Sequence, residues 1–246
     1  MSDGAPADGY DPALPEVAGR LFDLARLGRT TELTGYLDEG IHTVSQDLCS
    51  HPSGAAFDRA GNAYIACMVA NRVIRIDRRG VYTTVAGSGV AGYAGDNGRA
   101  TKAALNGPTG IAIDRHGNLF IADFLNNRVR KVDRHGVITT FAGNGLTGLS
   151  GDGWPASSVQ IWQPTAVAVD AAANVYIVEG ATSRVRKVDP NGVMTTIAGT
   201  GRSGFTGDGG PANRADLQSP TDVAVDAHGN IYIADRGNNR IRKVVP

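Results

Sequence analysis

Cysteine, methionine and aromatic residues are scarce: two Cys, three Met, and only 6% Phe, Trp and Tyr in 246 residues. Two cysteines, Cys49 and Cys67, are too few for a disulfide framework, and their expected state is that of free, buried thiols in a reducing compartment. No apolar run approaches the ~18 residues of a membrane span. The opening MSDGAPADGYDPALPE is acidic and lacks the basic-then-apolar order of a secretion signal, so a cytoplasmic location is expected. Charge bias is absent too: Lys+Arg and Asp+Glu number 24 each, which gives no electrostatic pointer to nucleic acid. Gly-Lys-Ser/Thr opening a helix is missing, as is the alternating acidic series of a calcium loop, so no cofactor and no metal are expected.

Glycine is abundant, at 33 residues, and with few aromatics it favours short strands and turns over a helical bundle. The sequence repeats itself. Pro52, Pro108, Pro164 and Pro220 open HPSGAAFD, GPTGIAID, QPTAVAVD and SPTDVAVD at a constant period of 56. GNAYIAC, GNLFIAD, ANVYIVE and GNIYIAD follow in register, then NRVIRID, NRVRKVD, SRVRKVD and NRIRKVV, then GVYTTVAG, GVITTFAG and GVMTTIAG. Each unit reads as four short strands bounded by Asp/Asn/Gly turns, which is the pattern of a β-propeller blade.

These residues carry a family resemblance. PTGIAIDRHGNLFIADFLNNRVRKVD resembles an NHL repeat, and the GDGGPA variant is similar to repeats of bacterial NHL proteins and of teneurin propellers. The resemblance spans about residues 47–246 and implies an all-β fold, an NHL-type β-propeller with four 56-residue blades, occupying residues 41–246. It implies no single activity: NHL-like propellers serve as scaffolds, sensors, RNA binders and occasionally lyases or lactonases. Four blades are fewer than the usual six. A closed four-blade ring, an open arc and a ring shared between two chains are all compatible with the count, and four blades in one chain is the preferred reading. Gly40–Asp47, GIHTVSQD, reads like an outer strand that would complete the fourth unit and hide its edge.

Ahead of the repeats, residues 1–14 are expected to be disordered. Residues 15–40 carry two apolar stripes at helical spacing, Val17/Leu21/Leu24/Ala25 and Leu33/Tyr36/Leu37, and read as an α-helical hairpin, with Thr30 as an N-cap and Gly40 as a stop. DLARLG…L…LD.G resembles the first helical pair of an ankyrin repeat, and a cap packed on the propeller is the expected use.

The glycine-rich runs at Gly92–Ala100, Gly148–Ala156 and Gly204–Ala212 are read as blade-to-blade connectors, in which Asp96, Asp152 and Asp208 cap short turns. The basic strands, Arg128/Arg130/Lys131 and their repeats, are read as solvated strands paired with local acids, without the interleaved aromatics of a stacking platform. His116, His135 and His228 fall in turns. Departures from the repeat at the channel mouth supply the candidate binding residues: His51, Cys67, Met68, Trp162 (where Asn106 and Gln218 stand) and Glu179, with Trp154 interrupting its copy of the connector.

The expected function is a non-enzymatic scaffold that binds an unknown protein or small ligand at its rim, with no membrane, nucleic acid unlikely, and self-association if the ring is incomplete. The alternatives are a lyase- or lactonase-like enzyme using His51 with Glu179 at the channel mouth, and an RNA-binding NHL domain.

Overall fold

The computed structural model describes residues 49–148 and 151–245. The expected disordered segment, the ankyrin-like hairpin and the strand at Gly40–Asp47 all lie outside the described residues.

Four antiparallel sheets follow one another at the repeat period. The first holds β1 (Pro52–Phe57), β2 (Ala63–Cys67), β3 (Arg72–Ile76) and β4 (Tyr82–Ala86). A connector carries the short β5 (Gly98–Arg99) and leads to β6 (Pro108–Ile113), β7 (Leu119–Asp123), β8 (Arg128–Val132) and β9 (Val137–Ala142). The next connector carries β10 (Trp154–Pro155), then come β11 (Pro164–Val169), β12 (Val175–Glu179), β13 (Arg184–Val188) and β14 (Val193–Ala198). The fourth sheet has three strands, β15 (Asp222–Val225), β16 (Ile231–Asp235) and β17 (Arg240–Val244). This is a four-blade β-propeller arrangement.

Alternation along each strand sends one set of side chains to each neighbouring blade. Ala66, Val73 and Ala86 of blade 1 meet Ile111, Leu119, Ile121, Val132 and Ile138 of blade 2. Equivalent clusters join blades 2 and 3 and blades 3 and 4. The inner strands pack in the order β1, β6, β11, β15. Their close approach depends on small residues: a Cβ on Gly54 would strike Thr109 O, and one on Gly110 would strike Ala166. Ser53 Oγ donates to Pro108 O at 3.0 Å and Thr109 Oγ1 to Pro164 O at 3.2 Å, so a hydroxyl stitches each of the first two seams; at the third, the equivalent Thr165 Oγ1 is buried without such a bond among the described residues.

No such seam joins β15 to β1 among the described residues. Ile241, the repeat counterpart of the fully buried Val73, Val129 and Val185, is 67% exposed, with no following blade over it among the described residues.

Three expectations are corrected. Cys49 and Cys67 are not free thiols. They form a disulfide with a Cα–Cα distance of 4.9 Å, packed with Ile65 and Ile74. The reducing-compartment argument rested on free thiols and loses its basis. The connector aspartates do not cap the short turns, whose first residues receive no side-chain bond. Asp96 instead accepts from the Thr140 amide and hydroxyl, and Asp152 from those of Thr196, so each clamps its connector to the outer strand of the following blade. The central arginines of the basic strands are not solvated: Arg130 and Arg186 are 0% exposed.

The turn reading of the histidines holds. Asp114 and Asp226 accept from the amides of His116 and His228, and again from Asn118 and Asn230 two residues later. Asp133 receives His135 in the same way.

Candidate functional site

The second, third and fourth repeats each place an acid at the end of the second strand and an arginine in the middle of the third. Arg130 reaches Asp123 (3.4 Å) and Asp96; Arg186 reaches Glu179 (3.0 Å) and Asp152 (3.1 Å); Arg242 reaches Asp235 (3.3 Å) and Asp208 (2.6 Å). The second-strand acid also accepts from the backbone amide that opens the inner strand: Asn106 to Asp123, Trp162 to Glu179, Gln218 to Asp235. One buried arginine thereby fastens strand, connector and mouth together. In the first repeat Cys67 and Ile74 replace the acid and the arginine as a pair, so no unpaired charge is buried.

Burial dominates two of these acids, Asp123 and Glu179. It pushes the Asp123 carboxyl up to about 6, against the opposing pull of the Asn106 amide, Asn126 and Arg130. It raises Glu179 in the same direction, against Arg186. Burial also works to raise Asp96, but Thr140, Arg130 and Tyr93 outweigh it and hold that carboxyl below the usual range.

The six candidate residues separate into three groups. Cys67 and Glu179 are fully buried beneath the mouth, one in the disulfide and one in the arginine pair, and neither offers a side chain to a partner. Trp154 is 65% exposed but sits on β10, at the outer edge of blade 3 beside β14. His51, Met68 and Trp162 lie on the mouth face, where inner strands begin and second strands end. His51 O accepts the Met68 amide at 3.0 Å. Trp162 precedes β11 and is 40% exposed. The proposed His51–Glu179 pairing does not form: the Glu179 carboxylate is taken by Arg186, the Trp162 amide and Thr182.

Sequence reasoning missed two further residues of this face. Val69 and Leu125, repeat equivalents in the turns after β2 and β7, are 57% and 50% exposed. A Cβ built on Gly107 would lie 3.4 Å from Leu125 Cδ1 and 3.8 Å from Met68 Cε, so both side chains overhang that glycine and bring blades 1 and 2 into one apolar surface. The available signal was the repeat itself: Val69 and Leu125 stand where Ala181 and Gly237 stand. Below the mouth, residues of all four inner strands line a cavity of about 310 Å³, whose charged residue is Asp222, where the other repeats have Gly54, Gly110 and Ala166. Asp222 stays open to solvent, yet partial desolvation beside the other inner strands pushes its carboxyl above the usual range.

The fold is a four-blade β-propeller arrangement, and its repeats are similar to NHL repeats. A family model described as the teneurin NHL domain matches residues 90–150, and one described as the NHL repeat matches residues 217–244. Human (Homo sapiens) teneurin-1 is 29% identical over 231 residues, covering 62% of this chain and 8% of its own length; the chain thus spans a small part of the curated relatives it matches. A solved protein of unknown function from Bacteroides thetaiotaomicron is similar with a TM-score of 0.67 and 22% identity, over 82% of this chain and 48% of that one. A streptogramin B lyase structure has a TM-score of 0.53 and 13% identity, over 80% of this chain and 52% of that one. Likeness at these identities is likeness of fold.

Proposed function

We propose that this chain is an interaction scaffold that binds a protein partner through the mouth face of its blades. The carrying observation is the mouth face itself: half-buried Met68 and exposed Leu125 meet over Gly107, exposed Val69 and Trp162 lie on the same face, and buried arginine–carboxylate pairs lie beneath. Exposed large apolar side chains held on a fixed scaffold are what a binding surface requires. His51 borders the surface and adds a polar edge, as rims of interfaces do. The similarity to teneurin NHL domains, which are small parts of very long chains, supports a modular role.

The non-enzymatic reading is supported by the use of the mouth carboxylates. Asp123, Glu179 and Asp235 are all enclosed and bonded, so none is free to move a proton at a substrate. The lyase reading rests on fold likeness alone. The RNA reading is disfavoured by the same geometry, because the arginines at the centre of the basic strands face inward.

Hydroxyl-radical footprinting in a cell extract tests the surface. Met68, Leu125 and Trp162 are expected to be protected relative to buffer, while Trp154 stays reactive. Protection confined to Trp154, or no protection at the mouth face, would overturn the reading.

A further inference from the structure

Blade 1 is fastened at the mouth by a different kind of bond from its neighbours. In blades 2, 3 and 4 the acid that ends the second strand accepts the amide of the residue leading into the inner strand, Asn106, Trp162 or Gln218, and holds the third-strand arginine. In blade 1 those two positions are Cys67 and Ile74, and neither carries charge. Cys67 is bonded instead to Cys49. Cys49 stands where Leu105, Ile161 and Leu217 stand, directly ahead of the positions of the amide donors. The disulfide therefore joins the same two stretches of chain that the acid joins elsewhere.

Half of the mouth face hangs on this bond. The two residues after Cys49 accept the amides of the turn that follows β2: Ser50 O from Val69 at 3.3 Å and His51 O from Met68 at 3.0 Å. Blade 2 repeats the first contact, Asn106 O accepting the Leu125 amide at 3.0 Å, and there Asn106 is itself held by Asp123. Leu125 is thus placed by an ionic clamp, and Met68 and Val69 by a covalent one. The two clamps answer differently to the medium. Reductant leaves a carboxylate and a guanidinium as they are. Two reduced cysteines are small neutral groups with weak S–H donors, and they cannot replace an amide–carboxylate bond. Their neighbours Ile65 and Ile74 are apolar, so the thiols leave no unpaired charge in the blade, and the loss falls on the mouth.

We propose that the Cys49–Cys67 disulfide makes the blade 1 half of the mouth face conditional on oxidation, so that partner binding requires an oxidising medium. This rests on the mouth face being the binding surface. In the closing reaction a small-molecule disulfide accepts two electrons from the cysteines; the protein gains one S–S bond, and the reagent leaves as two thiols carrying the two cysteine protons. A dithiol reverses this and is itself oxidised to a cyclic disulfide. Cys67 is fully enclosed and Cys49 nearly so, so the opening reaction proceeds through local release of residues 49–51.

Amide hydrogen exchange on the full chain, oxidised or treated with dithiothreitol, tests this, with thiol titration confirming that the disulfide is open. The Met68 and Val69 amides are expected to exchange about tenfold faster or more after reduction, while the Leu125 amide keeps its rate. Unchanged exchange at Met68 and Val69, with both thiols titrated, would overturn the proposal; equal acceleration at Leu125 would do so too, by making the disulfide a staple of the whole fold. The variant Cys49→Leu/Cys67→Asp/Ile74→Arg gives blade 1 the residues of blade 2. It is expected to protect Met68 and Val69 equally in either medium, and protection that still depended on oxidation would contradict the disulfide's role. These readouts need no partner. Slow exchange restored by oxidation together with undiminished capture of a partner by the reduced chain would support the clamp and count against the mouth face as the binding surface.

Discussion

At the scale of single residues, buried charge organises the blades. Arg130 and Arg186 are wholly enclosed, and each is met by one acid from its own sheet and one from a connector. Removing the arginine leaves two carboxylates, one of them fully buried, without their counter-charge. Arg186→Met is therefore expected to cost about 3–5 kcal/mol in urea unfolding, and Arg242→Met clearly less, because Asp208 is already open to water. Equal losses would contradict the account. The same pairs give a pH signature. The folded-state pKa of Asp123 is raised from 3.8 to about 6, so the folded chain binds a proton more tightly than the unfolded one. Its stabilising contribution is present in full below pH ~4 and is lost as pH rises through ~6, with a ceiling of roughly 3 kcal/mol. Asp123→Asn should flatten that part of the stability profile. Asp226, held down at about 2, chiefly by Asn230, acts oppositely: its contribution is present above pH ~4 and is lost as pH falls through ~2.

At the scale of elements, the repeat was legible and its cross-links were not. A period of 56 with four strand patterns per unit predicts the blades, and Asp-x-x-Gly-Asn predicts their turns, because those signals are local in sequence. The partner of Arg130 is not local: Asp96 is 34 residues away and Thr140, which shares that carboxylate, is 44 from Asp96. A signal did exist in the coordinated change of Asp123/Arg130 to Cys67/Ile74 between repeats. The disulfide was illegible for a different reason, since two cysteines without a framework look the same free or paired. The mouth face was half legible: His51, Met68 and Trp162 break the repeat visibly, while Val69 and Leu125 resemble ordinary turn residues until the fold places Met68 and Leu125 over one glycine. The connectors are predicted to be structural elements in their own right. Asp96→Ala should destabilise by about 2–3 kcal/mol through the lost Thr140 and Arg130 bonds. Exchange of the Thr140 amide should accelerate with it, and a change confined to the 3-10 turn at Ala100–Lys102 would restore the capping role.

At the scale of the whole molecule, three packed seams join four blades and present one face for binding. The seams are continuous hydrophobic clusters, two of them stitched by hydroxyls, so the mouth face is presented by a well-packed base. That packing lowers the entropic cost of binding and gives the apolar surface its use. The central claim is that partners engage this surface and not the outer rim. Its most direct test is side-by-side capture of a partner by the wild-type chain, by Leu125→Ser/Trp162→Ala and by Trp154→Ala, with the melting curve of each variant recorded. A loss of at least tenfold in affinity for the mouth-face double variant, with Trp154→Ala binding as wild type and all three melting alike, is the predicted result. Full binding by the double variant, or loss confined to Trp154→Ala, would contradict it.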